Sequence, residues 1–345
     1  VTDAFKVARD ALAAEQERIN AAAIKAGAAE NPMRVRPMNV ERLNRMYVRG
    51  ATKQYAEPPR KVLMDIGSLD AGELLVRYTG RQSNYCTTPF DVNGDSLRLY
   101  SGGLTIWSGF PGNGKTSLLR QFVCQTLKRG QNLFLASLEE EPHDTIIRVA
   151  GAAVGKAVPT KDDLAWFIDN YAEQFRLWSI IGTAKHAEML AVIRELAEQG
   201  TRHAIIDSLM CLDVANDDYE GQRKFANLVT ATARACDIHI HLVAHPRKLI
   251  SAQQELDLND VAGARELGGL SDNVLFVGRD TDSVALGPDA GVTGMTVSIR
   301  KQRHYNGAHA KIMGWYNRTH RQFHPGASGQ FITEPTWYLS EEARA

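Results

Sequence analysis

Residues 104–128 read LTIWSGFPGNGKTSLLRQFVCQTLK, and this stretch decides the fold. LTIWS is an apolar run of strand length. SLLRQFVCQTLK repeats its apolar residues at helical spacing, which predicts a strand over 104–108 and a helix over 116–129. Between them, GFPGNGKT at 109–116 fits the pattern G-x-x-x-x-G-K-[ST] at every defined position. Gly109, Gly112 and Gly114 let the backbone turn its N–H groups inward around phosphates. The helix that follows adds the positive end of its dipole. Lys115 reaches the β and γ phosphates, and the Thr116 hydroxyl suits a magnesium ion. Asn113 and Ser117 complete the predicted nucleotide contacts. The expected ligands are ATP, or dTTP, with Mg2+.

Downstream, the texture continues as strands alternating with helices. Strands are predicted at 133–137, 204–206, 239–244, 274–277 and 295–300, and helices at 187–199 and 222–235. Continuous apolar strands between helices imply an α/β fold whose twisted, mostly parallel sheet is covered on both faces. Acids stand where such a sheet places chemistry. RHAIIDSL at 202–209 ends its strand at Asp207, expected beside the phosphate loop and facing the metal. The alternative is a helix N-cap. NLFLASLEEEP at 132–142 ends in Glu139, Glu140 and Glu141, of which Glu139 is the preferred general base. One of the three is expected to be a first-turn glutamate before Pro142.

Ahead of this region lies different material. Residues 3–26 read as an amphipathic helix with Phe5, Ala8, Leu12, Ile19 and Ala22 on one face and Gly27 as C-cap. Residues 31–61 are basic and broken by Pro32, Pro37, Pro58 and Pro59, with a short helix expected from Val40 to Tyr47. The predicted organisation is a helical linker region over 1–88, an ATPase domain over 89–326 and a tail over 327–345.

The bulk numbers exclude little. Lys plus Arg and Asp plus Glu stand at 40 each among 345 residues, so any nucleic-acid surface must be a local patch. Cys86, Cys124, Cys211 and Cys236 form no CxxC pair, which points to free thiols in a reducing compartment rather than a zinc site. No apolar run reaches the roughly 18 residues a membrane span needs, so no membrane partner is expected. Val1 in place of Met leads to the expectation of a piece of a longer protein, cytoplasmic in a bacterium or phage-infected cell, or mitochondrial.

Five stretches together resemble the DnaB-type replicative helicases, with a RecA-like core, and more closely the branch holding Twinkle and the phage primase-helicases. They are GFPGNGKT, SLEE at 137–140, IIDSL at 205–209, LVAHPRK at 242–248 and RKQRHYNG at 300–307; the likeness spans roughly 89–325. It implies an ATP-driven motor, a homo-oligomeric ring that is usually a hexamer, and single-stranded DNA in its channel, with a primase or polymerase as a further partner. It implies that His245 senses the γ-phosphate, while His239 and His241 serve the sheet. It implies that Arg303 is an arginine finger, with Lys301 as companion, acting on the neighbouring subunit's nucleotide. By the same likeness Arg279 and Tyr316 sandwich the base, with Trp315 and Phe323 competing for the aromatic role. Two loops, 215–222 and 247–263, would face DNA, the second through Arg247, Lys248 and Gly263; the acids Asp217, Asp218 and Glu220 weaken the first. No primase pattern is visible. The alternatives are a RecA-like recombination ATPase forming filaments and a nucleotide-gated assembly protein.

Overall fold

A computed structural model describes residues 97–214, 218–246, 256–261, 265–280, 291–304 and 310–325, with Asp70–Gly72, Leu74–Leu75, Tyr85–Cys86 and Thr88. The helices expected over 3–26 and 40–47, the basic stretch, the 327–345 tail, and Arg247, Lys248 and Gly263 lie outside the described residues.

The core begins where the sequence predicts. Strand β3 (Leu104–Ser108) is buried at every residue and leads through the phosphate loop into helix α1 (Lys115–Lys128). Beyond it come β4 (Asn132–Ser137), helices α2 (Pro142–Val154) and α3 (Lys161–Tyr171), and β5 (Phe175–Leu177). Then follow α4 (His186–Glu198), β6 (Thr201–Asp207), α5 (Tyr219–Ala235) and β7 (His239–Val243). The short helix α6 (Arg265–Leu270) leads into β8 (Asn273–Asp280), β9 (Val292–Gln302), β10 (Lys311–Asn317) and β11 (Gln322–Pro325). A separate two-stranded ladder pairs β1 (Tyr85–Cys86) with β2 (Leu99–Tyr100).

The main sheet runs β11-β10-β9-β8-β3-β7-β6-β4-β5. From β8 to β5 the neighbours are parallel; β8 to β11 form an antiparallel block. This is the expected α/β architecture, with an antiparallel extension that the sequence pattern does not announce. Helices α1, α2 and α3 cover one face through Leu118, Phe122, Val149 and Phe167. Helices α4, α5 and α6 cover the other through Met189, Ile193, Phe225, Val229 and Leu267. Phe122 and Trp107 have no exposed surface, and truncating such a side chain costs about 3–5 kcal/mol. Among the described residues no helix is long and apolar enough to cross a membrane.

One expectation is corrected. The first predicted loop, 215–222, is helical from Tyr219. Asp218 caps α5 by accepting from Gly221 N at 2.8 Å, and Glu220 pairs with Lys224 one turn on. These acids are helix-start residues, because a carboxylate there satisfies N–H groups that have no partner within the helix.

Candidate functional site

The phosphate loop is shaped by what its glycines avoid. A Cβ on Gly109, at φ 145°, would lie 2.3 Å from the Val277 carbonyl oxygen of β8. One on Gly114, at φ 88°, would lie 2.7 Å from Met295 Cε of β9. The loop therefore packs against the antiparallel block at distances only glycine permits. Asn113 is engaged in the same packing: its Nδ2 donates to Val277 O at 3.1 Å and its main-chain N to Phe110 O. Gly112 has open space around it.

Helix α1 starts differently from α3. The latter has a full capping box, with Thr160 and Asp163 each accepting from the other's main-chain N–H. Helix α1 starts at Gly114, with no side-chain cap and no acid in its first turn. Its first N–H groups are thus left for an anion.

Lys115 is buried, and its Nζ donates to the loop's own carbonyls, Gly109 O at 2.7 Å and Phe110 O at 3.1 Å. Burial holds its ammonium below the usual lysine range, partly offset by the charges of Asp207 and Glu139. Thr116 Oγ1 donates to Asp207 Oδ2 at 2.7 Å. Burial pushes the Asp207 carboxyl up, and the Thr116 hydrogen bond pulls it back. Asp207 is thus at a strand end facing the loop, and the helix-cap alternative does not apply.

The three glutamates have separate fates. Glu140 bridges Arg120 of α1 and Arg148 of α2, each at 2.5 Å, and also accepts from Thr145. Glu141 is the exposed residue immediately before α2. Glu139 turns toward the loop, with its side chain 53% exposed, accepting from Ser208 Oγ at 2.5 Å and lying 3.9 Å from His245 Nε2. The His245 imidazole is held below its ordinary value, first by burial and then by the charge of Lys115. Lys115, Thr116, Glu139, Asp207 and His245 meet because β3, β4, β6 and β7 are parallel neighbours, so their carboxyl ends emerge side by side. His239 and His241 lie fully inside the sheet, as the alternation predicts.

Two members of the site are missed by sequence reasoning. Ser208 follows Asp207 directly, and a hydroxyl beside a strand-end acid is the available signal. Arg120 is one helical turn beyond Thr116, and nothing in the local pattern marks it.

Arg279 and Tyr316 stand on the wall beside the loop. Arg279 faces Met295 across β8–β9, and Tyr316 faces Thr293 across β9–β10. Residues 293 and 295 share a face, so Arg279 and Tyr316 do as well. Arg279 also donates to Thr293 Oγ1 at 3.3 Å. Trp315 is on the opposite face and Phe323 is fully buried, so register favours Tyr316 among the aromatics.

Lys301 and Arg303 are elsewhere. Lys301 is level with Val274 and hence with Ile106, toward the start of β3. Arg303 N donates to Asp272 O at the amino end of β8. Three or more residues along β3 separate this level from Gly109, about 10 Å at strand rise, with β8 also intervening. Lys301 Nζ donates to Gly268 O at 2.8 Å and Gly269 O at 2.7 Å, and Arg303 Nη2 to Gly269 O at 3.0 Å. Both side chains therefore point to the same place, away from this chain's own phosphate loop.

Of the second predicted loop, the described portions show Pro246 bridged to Val261 and a turn at Leu258–Asp260. The excursion between them thus starts and ends at paired residues directly after His245.

Comparison with known proteins adds three findings. A family model described as an AAA domain matches residues 96–250. No curated protein matches the sequence. Among solved structures, the chain resembles the isolated ATPase domain of a DnaB-like helicase, with TM-score 0.61 and 18% identity, over 75% of this chain and 99% of that one. It also resembles a DnaB-like replicative helicase described with its primase interactions, with TM-score 0.58 and 16% identity, over 91% of this chain and 75% of that one. The fold is that of the DnaB-type, RecA-like helicase ATPase domains.

Proposed function

We propose that the chain is the motor subunit of a replicative DNA helicase, a ring that hydrolyses ATP or dTTP to move along single-stranded DNA. The observation that carries the reading is the division of the parts. The phosphate loop, Asp207, Glu139 and His245 gather at one end of the sheet, while Lys301 and Arg303 present their charges toward the other. A finger so placed serves a second copy's nucleotide, so the assembly is a homo-oligomer, with a hexamer the expected form. The ATPase unit is residues 89–326, with 1–88 as linker.

The residues fit a magnesium nucleotide. Thr116 and Asp207 offer paired oxygen ligands, and magnesium is commonly held by one or two carboxylates together with substrate phosphates. When bound, the ion neutralises charge on the β and γ phosphates. In the proposed reaction Lys115 leaves the carbonyls of Gly109 and Phe110 for the phosphates, a stronger, charge-assisted partner. Glu139 takes a proton from the attacking water, and Ser208 keeps its carboxylate turned toward the loop. His245, next to Glu139, hydrogen-bonds the γ-phosphate or that water. Arg303 of an adjacent copy stabilises charge on the transferring group. Single-stranded DNA would meet the excursion after His245 through Arg247, Lys248 and Gly263, so the strand that senses phosphate also leads to the DNA contact. A primase or polymerase is the expected neighbour.

The test is a forked duplex with one labelled strand. ATP with magnesium should give strand displacement, and oligothymidine should raise hydrolysis by about tenfold or more, the scale of a positioned catalytic group. Lys115→Ala should abolish both. Pairing of complementary strands without unwinding would favour a recombination filament; hydrolysis indifferent to DNA would favour an assembly ATPase.

A further inference from the structure

The segment entering β8, Ser271-Asp272-Asn273, carries a buried carboxylate that the phosphate site does not use. The Asp272 side chain is 7% exposed. Its two oxygens do different work. Oδ2 accepts from Leu104 N at 3.0 Å, and the main-chain N of Asp272 donates back to Leu104 O at 2.8 Å, joining the starts of β8 and β3. Oδ1 makes no hydrogen bond of good geometry, yet three cationic or ionisable groups face it. Arg303 Nη1 stands at 3.4 Å, His304 Nε2 at 3.4 Å and Arg234 Nη2 at 4.0 Å.

An amide would cap Leu104 N–H as well as a carboxylate does. The negative charge is therefore explained by the cations, and Arg303 is the one gripped from a second side. Its Nη2 donates to Gly269 O, and its main-chain N is bonded to the Asp272 carbonyl. Lys301 is tied to the same turn through Gly268 and Gly269. A guanidinium has five N–H donors in a fixed fork, so two nitrogens can be anchored while other donors face outward. The Arg303 side chain is 36% exposed, which leaves its head open to a neighbour.

We propose that Asp272 is the positioning residue of this basic pair: with the carbonyls of Gly268 and Gly269 it holds Arg303 in the orientation in which it enters the adjacent copy's nucleotide site. The inference rests on the shared-site reading above. A displacement of about 1 Å in a group that must meet a transition state can cost about a hundredfold in rate, so a finger on a long, otherwise free side chain gains most from such a cradle. Asp272 touches no substrate and acts only through Arg303.

The test uses the assembled protein with oligothymidine and saturating ATP. Asp272→Asn retains an acceptor for Leu104 N–H and loses the charge. It should lower kcat at least about tenfold with KM changed less than about twofold, as expected when only transition-state stabilisation is lost. Mixed with Lys115→Ala, it should regain turnover, because one variant keeps a working nucleotide site and the other a working finger. Arg303→Ala mixed with Lys115→Ala is the control. Asp272→Glu, which keeps the charge, should retain more activity than Asp272→Asn. An unchanged kcat, a loss confined to KM, equal losses in the Glu and Asn variants, or no recovery where the control mixture recovers would each overturn the role of Asp272. No recovery in either mixture would overturn the shared site itself, and this role with it. If Asp272→Asn fails to assemble, Asp272→Glu decides alone: a kcat loss regained by mixing supports the proposal, and an unregained one ends it.

Discussion

At the carboxyl end of β3, Lys115 lies across two carbonyls of its own loop, while the nearby acids are held by other groups, Asp207 by Thr116 and Glu139 by Ser208. At the amino end, Lys301 and Arg303 also rest on backbone carbonyls, but the acid there, Asp272, stands directly against Arg303. Both ends park their cations on neutral acceptors. They differ in whether a buried carboxylate holds the cation in place. A lysine on carbonyls alone is released by any phosphate that enters, because a charge-assisted bond outcompetes a neutral one. An arginine fixed by a carboxylate keeps its orientation, and the partner must come to it. The first end therefore behaves as a receiving site and the second as a donated one.

The largest effect should come from breaking the donated end. Arg303→Ala should reduce kcat by about a thousandfold, the lower range for arginine fingers, while leaving nucleotide affinity within about twofold, since its own loop is intact. Lys115→Ala should instead lose affinity and turnover together. Titration with a fluorescent nucleotide alongside steady-state hydrolysis separates the two, and a large affinity loss in Arg303→Ala would erase the distinction between the ends.

Next in size is a contrast within the receiving end. Glu139→Gln should cost about a hundredfold in kcat, the low range for general-base loss, with the thermal midpoint unchanged. Glu140→Gln should act the opposite way, costing about 2 kcal/mol of stability by leaving Arg120 and Arg148 without their charged acceptor. Thermal melts and rate measurements on the same preparations check both. Equal catalytic losses in the two variants would mean that the adjacent acids are not divided between base and brace.

Between the two ends runs a row of buried imidazoles. His239 accepts or donates at Thr105 Oγ1 (2.8 Å), His241 accepts from Trp107 Nε1 (3.2 Å), and His203 meets His241 at 3.2 Å. Burial lowers all three, His239 to about 4 and the others well below their ordinary value; Asp272 pulls His239 upward against that trend. Above about pH 6.5 these rings are neutral in both folded and unfolded chains and contribute no pH dependence. As pH falls from about 6.5 towards 4, the unfolded chain takes up protons that the folded one refuses, so stability drops. His239 alone accounts for about 3 kcal/mol across that window. The urea midpoint should fall between pH 7 and pH 5 while the transition stays single. A flat profile would mean that the row is hydrated and does not bind the ends of β3 together.

Legibility follows locality. Strand, loop and helix from Leu104 to Lys128 are contiguous, so their pattern suffices, and Asp207, Glu139 and His245 can be placed because each ends an apolar run. Helices α2 and α3 escape the periodicity reading although Pro142 at a first helical position and the Thr160–Asp163 box announce them. Strand β5 has three half-buried residues, and β10 alternates weakly, being exposed or half-buried except at Gly314. Neither has the burial that makes a strand visible in sequence. The Glu140–Arg120–Arg148 brace and the Asp272 cradle escape for another reason. Their partners are 8 to 20 residues apart in the first and 31 to 38 in the second, and only the folded sheet brings them together.

The smallest effect belongs to the wall beside the loop. An exposed base stacked on one ring gains about 0.5–1 kcal/mol from arginine–aromatic contacts of this kind, so Tyr316→Ala should raise the KM for ATP roughly threefold and leave kcat alone. The comparison that sharpens this is inorganic tripolyphosphate as a competitor. It occupies the phosphate loop without a base, so its inhibition constant should not move in Tyr316→Ala. Arg279→Ala should behave alike, since Arg279 and Tyr316 flank Met295 and Thr293 on one face. If tripolyphosphate weakens in parallel with ATP, Tyr316 is supporting the loop through Met295 and Gly114 rather than holding a base, and the wall counts as part of the receiving site's frame.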